Sequence, residues 1–281
     1  MRKIRTISQL LDAMKRGERI QRANVKSPEN KDTAHFNKNE GQCFCVSLAG
    51  HCIRIHSQYD EVYHLCADYL CDDVDPDITI NIDESDIAYE RKEATKDKYS
   101  YSNSYLETLA VYRKISIALL EYDIFLMHGA VIAEGDNAFL FTAKSGTGKT
   151  THIRKWLDRL EEAYVVNGDK PLIKVSDSEV FACGTPWCGK EHMGRNTMVP
   201  LRAIVLMERG ENNSIKEISF SDAFISLLQQ IYQPEESEKM KKVLRLFSTI
   251  KGRVRIYKFI FNNMKDDAFE VAYNALTKGN S

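Results

Sequence analysis

The sequence predicts an α/β domain over residues 101–281, preceded by a small α+β unit over residues 1–100. After about residue 105, short apolar runs typical of strands alternate with segments of helical spacing, which is the pattern of an α/β fold. One of these apolar runs leads through a glycine-rich turn directly into a helix. The polar run 92–104, KEATKDKYSYSNS, separates the two regions and is our candidate linker. A length of 281 residues fits about two domains.

The first region reads as a mixture of short helices and strands. The spacing of its apolar residues predicts, in order, a helix over 7–17, a polar loop over 22–42, two strands within 43–57 that turn at Ala49-Gly50, a helix over 59–70, and strands over 76–82 and 86–91. Five of the seven cysteines fall here, with three histidines nearby, so a zinc site is one interpretation of this region. No C-x-x-C pair is present, and the alternation of Cys43 and Cys45 favours buried strand residues instead.

The second region opens with a helix that begins at Ser104, where Ser104 and Glu107 are spaced as a capping box. A hairpin of two apolar runs, 124–133 and 138–143, then feeds the glycine turn. The elements that follow are predicted as a helix over 149–162, strands over 164–167, 171–175, 180–184, 202–208 and 214–219, helices over 221–232 and 234–249, a strand over 253–261 and a helix over 266–276. Pro234 suits the first position of its helix.

The composition excludes several classes of protein. A net charge of −1 provides no overall basic field for nucleic acid or for an anionic membrane. The most apolar stretch, 115–141, is interrupted by four acidic residues, so it is not expected to span a bilayer. Residues 1–20 carry charges throughout and lack the apolar core of a signal peptide. Together with the odd number of cysteines, this predicts a cytoplasmic protein with reduced thiols.

The glycine turn has the composition of a phosphate-binding loop. Ser145, Gly146, Thr147, Gly148, Lys149 and Thr150 combine glycines that let backbone amides converge on phosphate oxygens, a lysine that reaches the outer phosphates, and a hydroxyl that can ligate magnesium. The turn also opens a helix, whose N-terminal amides carry partial positive charge. The sequence therefore predicts a nucleotide site, in which Thr151 also takes part.

One residue departs from the usual pattern of this loop. Its first glycine is replaced by Ala143, which is tolerated unless that residue needs a positive φ. A plain turn between a strand and a helix is the alternative interpretation, but it leaves the adjacent Lys149 and Thr150 unexplained.

The stretch FLMHGAVIAEGDNAFLFTAKSGTGKTT resembles the HPr kinase/phosphorylase group, in the phosphoenolpyruvate carboxykinase-type branch of P-loop proteins. Three landmarks carry the resemblance in order: the pair His128-Gly129, a turn, and S-G-x-G-K-[ST]. The similarity extends loosely over residues 105–278, whereas the first hundred residues resemble no family that we can name. It implies a P-loop kinase domain with a mixed central sheet, which uses Mg²⁺ and ATP, or ADP or another phosphate donor.

The resemblance also implies roles for individual residues. Lys149 would neutralise charge on the transferred phosphate, and Thr150 would ligate the metal. An acidic pair is expected at the end of the next strand, where this chain has Asn167-Gly168-Asp169. Asp169 would then be a metal or water-shell ligand, while Gly168 replaces the other carboxylate and leaves the general base open. His128 would lie near the phosphates; the alternative is a histidine satisfied inside the sheet.

The loop over residues 184–200 is the second candidate region. Long loops at strand ends of α/β sheets commonly form substrate sites. Glu191 is a candidate base in place of the missing carboxylate, and Lys190 and Arg195 are candidate phosphate clamps for the acceptor side. A solvated surface loop is the alternative. Cys188 lacks the partners of a nucleophile, and phosphoryl transfer needs none.

The function predicted from the sequence is an ATP-dependent kinase that phosphorylates a hydroxyl group. The acceptor is either a small metabolite, such as an amino acid or a polyol, or a serine of a peptide or small protein. A nucleotide-binding partner or regulatory protein without transfer activity is the alternative, supported by Gly168 and Ala143. A true carboxykinase is disfavoured because no arginine-rich site for a dicarboxylate is found. The sequence leaves the acceptor and the oligomeric state open.

Overall fold

The structure is a computed structural model that describes residues 41–72, 75–95, 100–144, 146–262, 265 and 267–277. The predicted helix over 7–17, almost all of the predicted loop over 22–42, and Ser145 lie outside the described residues.

The first described unit is a four-stranded sheet. Its strands are β1 (Gln42–Leu48), β2 (His51–Ser57), β3 (Leu70–Cys71) and β4 (Ile78–Asn81), in the order β3-β1-β2-β4. The hairpin between β1 and β2 is confirmed, and Ala49 and Gly50 at its tip have φ of 52° and 82°. Two positive φ values are what a tight two-residue hairpin requires.

Two helices complete this unit, and one of them corrects a prediction. The helix predicted over 59–70 is found as α1 (Asp60–Leu65), followed by a short 3-10 turn over Ala67–Tyr69. The strand predicted over 86–91 is wrong, because this segment belongs to helix α2 (Glu84–Thr95). Asp83 and Asp86 each accept a hydrogen bond from the backbone amide of the other, and this reciprocal cap begins the helix.

Helix α3 (Asn103–Ala118) begins differently from the prediction. Ser102 is its N-cap and accepts a hydrogen bond from the amide of Tyr105, so the predicted capping box of Ser104 and Glu107 is wrong. Glu107 is fully buried and accepts hydrogen bonds from the amides of Gln58 and Tyr59 instead. It thereby joins α3 to the start of α1, a contact between distant segments that local spacing does not encode.

The larger unit is built on a mixed sheet, as predicted, and this sheet has nine strands. Its strands are β5 (Ile124–Leu126), β6 (Ala130–Glu134), β7 (Asn137–Thr142), β8 (Ala163–Asn167), β9 (Leu172–Val175), β10 (Val180–Cys183), β11 (Met198–Arg209), β12 (Ser214–Glu217) and β13 (Arg255–Phe261). The order is β5-β9-β10-β11-β7-β6-β8, and β13 joins β11 to β12. β11 runs parallel to β7 and β13, while β6 runs antiparallel to both of its neighbours, β7 and β8.

Four helices cover the two faces of this sheet. They are α4 (Lys149–Arg159), α5 (Phe220–Leu228), α6 (Ser237–Thr249) and α7 (Ala268–Thr277). One buried cluster contains α4 and α7 residues, and another contains residues of α5 and α6, so each pair covers one face. Pro234 does not occupy the first turn of α6, which begins after Glu236.

Helix α3 is shared between the two sheets. One buried cluster contains Leu106 and Leu109 of α3, residues of β1 and β2, and Ile124 and Leu172 from the edge of the larger sheet. Helices α2 and α3 are tied by an ion pair between Arg113 and Glu90 at 2.6 Å. The predicted boundary near residue 100 therefore lies between helices that pack on each other, and the division into two domains stays a prediction.

Candidate functional site

The strand order brings three chain segments to one edge of the larger sheet. Because β6 is antiparallel to β7 and β8, its first residues lie beside the last residues of both neighbours. Ala130 pairs with Phe141, and Val131 pairs with Asn167. The glycine turn that follows β7, the segment after Asn167 and the histidine before β6 therefore meet at this edge, which is where open α/β sheets commonly bind ligands.

The glycine turn joins β7 to α4 as predicted. Gly146 has a φ of 76°, and Gly148, the residue that precedes α4, has a φ of 116°. A Cβ atom at Gly146 would meet nothing within 4 Å, so glycine serves backbone conformation there rather than space. Ala143 is absent from the described non-glycine residues with positive φ, which removes the objection to alanine at this position.

Lys149 folds back over the turn. Its ammonium group donates a hydrogen bond to the carbonyl of Ala143 at 3.2 Å. Burial lowers the pKa of Lys149 to about 8, and the charge of Lys170 acts in the same direction, while Asp169 raises it. An anionic ligand beside Lys149 would offset the cost of burying its charge.

Asp169 is held by a turn at the end of β8. The side-chain oxygen of Asn167 accepts hydrogen bonds from the amides of Asp169 at 2.8 Å and Lys170 at 2.6 Å. Its side-chain nitrogen donates to the carbonyl and hydroxyl oxygens of Thr185. Asn167 therefore fixes the backbone that carries Asp169, a role that the sequence analysis did not assign.

Lys170 was also missed, although it is adjacent to Asp169. Its ammonium group contacts Oδ2 of Asp169, and the two residues are 2% and 4% exposed. The sequence contained one sign of this contact, because the lysine lies between a site carboxylate and the proline that begins an apolar run. Lysine is rarely buried without a partner, so this position favours an ion pair with the carboxylate.

His128 lies beside the same carboxylate. Its Nε2 is 3.5 Å from Oδ1 of Asp169, and its Nδ1 is 3.0 Å from the side-chain oxygen of Gln230. Desolvation on burial and, to a smaller extent, the positive charge of Lys149 lower the pKa of His128 to about 4. His128, Lys149, Asp169 and Lys170 thus influence one another, and we call them the buried charge cluster.

The loop over 184–200 covers Asp169. The amide of Gly168 donates to the carbonyl of Met193 at 2.9 Å, and the amide of Arg195 donates to the carbonyl of Val166 at 3.1 Å. A Cβ atom at Gly189 would lie 3.1 Å from Cβ of Asp169. The backbone of this loop therefore packs directly on the segment that carries the carboxylate.

The same packing explains Gly168. A Cβ atom there would lie 2.6 Å from the carbonyl oxygen of Cys188 and 3.1 Å from that of Met193. Loop carbonyls therefore occupy the space that a second carboxylate at this position would need.

The charged side chains of the loop lie elsewhere. Glu191 pairs with Arg154 of α4, and these side chains are 47% and 56% exposed. The guanidinium of Arg195 lies over the ring of Tyr164, 4.5 Å from its centroid, and Lys190 is exposed. These three residues, which we predicted as base and phosphate clamps, are not brought into the buried charge cluster.

Hydroxyl groups lie on both sides of Lys149. Thr147 donates to the carbonyl of Lys144 at 2.7 Å, while Thr150 and Thr151 lie in the first turn of α4, half-buried and exposed respectively. Thr150 thus lies at the helix start, and its role as a metal ligand stays a prediction.

Arg209 contacts the glycine turn from the end of β11. Its guanidinium donates to the carbonyl of Gly146 at 2.6 Å and to the carbonyl of Thr147 at 3.0 Å. No local pattern in the sequence connects this residue to a turn more than sixty residues earlier.

The donor set suits a magnesium ion that arrives with a nucleotide. Mg²⁺ usually takes one or two protein oxygens and fills its other positions with phosphate oxygens and water. Asp169 and Thr150 provide one carboxylate and one hydroxyl; Lys170 contacts Oδ2 of this carboxylate, and Oδ1 lies 3.5 Å from His128. Among the described residues, no group of three acidic, histidine or cysteine side chains forms a cage for a metal without a nucleotide.

Within the described ranges, no helix combines the length and apolar character needed to cross a bilayer.

No protein-family model and no curated protein sequence matches the chain. A solved structure, the HPr(Ser) kinase/phosphatase from Coxiella burnetii, overlaps 56% of this chain and 99% of its own length, at 10% sequence identity and a TM-score of 0.35. Similarity of this size describes a distant likeness in fold and does not assign an activity.

Proposed function

We propose that the protein is a Mg²⁺-dependent kinase that transfers a phosphoryl group from ATP to a hydroxyl acceptor. The observation that carries this proposal is the convergence of a glycine turn, the amides at the start of α4 and Lys149 with the buried carboxylate of Asp169 at one sheet edge. Phosphoryl transfer depends mainly on positioning and on charge stabilisation, which is what these groups provide.

The nucleotide side is assigned to the glycine turn. The amides of the turn and of the first turn of α4 bind the phosphates, and Lys149 moves from the carbonyl of Ala143 to the outer phosphate. The magnesium ion, held by the nucleotide with Thr150 and Asp169, would neutralise charge on the phosphates. Arg209 keeps the turn in shape by holding the carbonyls of Gly146 and Thr147.

The acceptor side is assigned to Asp169. Its carboxylate takes the proton of the acceptor hydroxyl, because Glu191, the other candidate base, lies in an exposed ion pair with Arg154. The transition state of phosphoryl transfer is loose, so little proton transfer is needed before the phosphoryl group moves. One carboxylate can then serve both the metal and the proton. His128 is neutral at neutral pH, because its pKa is lowered to about 4, and its Nε2 lies 3.5 Å from Oδ1 of Asp169.

The test is ATP consumption in the presence of Mg²⁺ and a panel of hydroxyl compounds that includes polyols, amino acids and serine peptides. We expect transfer to a subset of the panel, and loss of that transfer by at least ~100-fold in Lys149→Ala. Lys144→Ala is the matched control, because it removes a neighbouring exposed lysine of the same turn. Nucleotide binding without transfer to any acceptor would instead indicate a nucleotide-binding regulatory protein.

A further inference from the structure

Besides Nε2 of His128, three buried polar groups in the part of the molecule around the loop over 184–200 lack a hydrogen-bond partner among the described residues. They are the hydroxyl of Tyr112 on α3, the indole Nε1 of Trp187 in the loop over 184–200, and the hydroxyl of Tyr69 from the first unit. A buried polar atom without a partner costs free energy, whereas a phenylalanine would fill the same space without that cost. Polar atoms at these positions therefore call for a partner that is not part of the described chain.

Two of these groups belong to aromatic rings that contact each other. The rings of Tyr112 and Trp187 lie 4.9 Å apart. Burial raises the pKa of Tyr112 well above its usual range, and the negative charge of Asp169 raises it further. Trp187 is two residues before Gly189, which packs against Cβ of Asp169. Tyr112 and Trp187 thus lie on the side of Asp169 that the loop covers.

Tyr69, at the end of the 3-10 turn before β3, packs in the same buried cluster as Tyr112. Burial raises the pKa of its hydroxyl, and the next contribution comes from Cys188, the residue between Trp187 and Gly189. Burial raises the pKa of the Cys188 thiol, and the negative charge of Asp169 raises it further. Tyr69, Tyr112 and Trp187 belong to one packed cluster, so residues from three separate parts of the chain meet close to the loop that covers Asp169.

We propose that Tyr69, Tyr112 and Trp187 form the subsite that recognises the acceptor, and that the acceptor is a small, neutral, polyhydroxylated molecule. This inference rests on the proposed function. The groups bind the non-reacting hydroxyls of the acceptor, while another hydroxyl faces Asp169 and loses its proton to it as the new O–P bond forms and the bond to the ADP oxygen breaks.

The chemistry of the three groups selects this class of ligand. The indole Nε1 of Trp187 can only donate, so it needs an oxygen acceptor, whereas the tyrosine hydroxyls can donate or accept. None of the three carries a charge, and the ammonium of Lys170 is already in contact with Asp169. A free amino acid would bring a carboxylate and an ammonium that these groups do not neutralise. Burial of Tyr69 and Tyr112 disfavours a serine on a folded protein, which needs an open surface.

The experiment compares Tyr112→Phe and Trp187→Phe with the wild-type protein, using sugars and sugar alcohols as acceptors. Each variant removes one polar atom and keeps an aromatic ring. We expect the acceptor KM to rise by ~10-fold or more, with the ATP dissociation constant unchanged. Tyr122→Phe is the matched control, because its hydroxyl already donates to the carbonyl of Asp77 at 3.0 Å and lies outside the subsite.

Further outcomes separate this inference from the proposed function. Transfer to amino acids or serine peptides alone would overturn the inference and leave the kinase in place. An unchanged acceptor KM in both variants would also overturn it, since the groups would then hold only buried water. If no acceptor is phosphorylated, the proposed function fails, and thermal shifts decide the subsite. Stabilisation of the wild-type protein by a polyol, reduced in Trp187→Phe, would support it, and no stabilisation by any polyol would refute it.

Discussion

The ammonium group of Lys170 contacts the carboxylate of Asp169, and both residues are almost completely removed from solvent. Breaking a buried ion pair by removing one partner typically costs about 3–5 kcal/mol, because the other charge stays buried. We therefore expect Lys170→Met to lower the free energy of unfolding by about this amount, measured by urea denaturation. In the Asp169→Asn background the same substitution should cost much less. Equal costs in both backgrounds would show that the pair is not coupled.

Arg209 should support nucleotide binding without touching the nucleotide. Its guanidinium holds two carbonyls of the glycine turn, and it is exposed, so its removal should leave the fold intact. We expect Arg209→Ala to weaken ATP binding by ~10-fold in calorimetry, because the turn loses a restraint on its amides. Arg202→Ala is the control, since Arg202 lies on the same strand but bonds to Asn137. Equal affinities in the two variants would contradict this role.

Glu191 should not act as the general base. It is half-exposed and paired with Arg154 at the surface, and such pairs contribute little. In Glu191→Gln we expect kcat to stay within ~2-fold of the wild-type value, whereas Asp169→Asn should lose ~100-fold or more. A large fall in rate with intact ATP affinity in Glu191→Gln would move the base to the loop.

A carboxylate placed at position 168 should harm the protein rather than improve it. A Cβ atom there meets the carbonyl oxygen of Cys188 at 2.6 Å. We expect both Gly168→Ala and Gly168→Asp to lose about 1–3 kcal/mol of stability, because the loop must shift. Gly135→Asn is the control, since Gly135 lies in open space with a φ of 54°, which asparagine tolerates. A more active Gly168→Asp enzyme with unchanged stability would contradict the packing argument.

His152 should make the fold sensitive to acid. It is fully buried, its Nε2 accepts a hydrogen bond from Trp156 at 3.1 Å, and burial lowers its pKa from 6.5 to about 3. The unfolded chain therefore takes up the proton first, so this contribution is complete above about pH 6.5 and is lost as the pH falls towards 3. From about pH 7.5 to about pH 5 the linkage amounts to roughly 2 kcal/mol.

The measurement is the free energy of unfolding as a function of pH. His152→Gln keeps an acceptor for Trp156 and cannot titrate, so we expect a shallower loss of stability than in the wild-type protein, whatever its stability at neutral pH. The contribution of His128, whose pKa is also lowered, should persist in this variant. Parallel curves would show that His152 is not the source of the acid sensitivity.

The sequence predicted the elements whose signals are local. The strand, turn and helix around Gly146 are consecutive in the chain, and each glycine conformation follows from the spacing. The strand predicted over 86–91 is wrong because Asp83 and Asp86 cap each other's amides and begin a helix there. Buried residues at Ile87, Glu90 and Ala94 have the spacing of one helix face.

The rest of the candidate site could not be predicted because it is assembled from distant segments. Arg209 reaches a turn on another strand, and Gln230 reaches His128 across about a hundred residues. Local periodicity contains no information on such pairs. The charged residues of the loop over 184–200 predicted a substrate site there, but its backbone is the part that packs on Asp169. That packing follows from hydrogen bonds of the Met193 carbonyl and the Arg195 amide with the end of β8 and the residue after it.

Helix α3 connects the two sheets, because its apolar side chains pack in one buried cluster with residues of the small sheet and of the edge of the larger sheet. A movement of one sheet away from the other would expose this buried cluster to solvent. It would also break the hydrogen bonds between Glu107 and the amides before α1. The loop over 184–200 rests on the segment that carries Asp169, so we expect the entry of a ligand to depend on this loop more than on a separation of the two sheets.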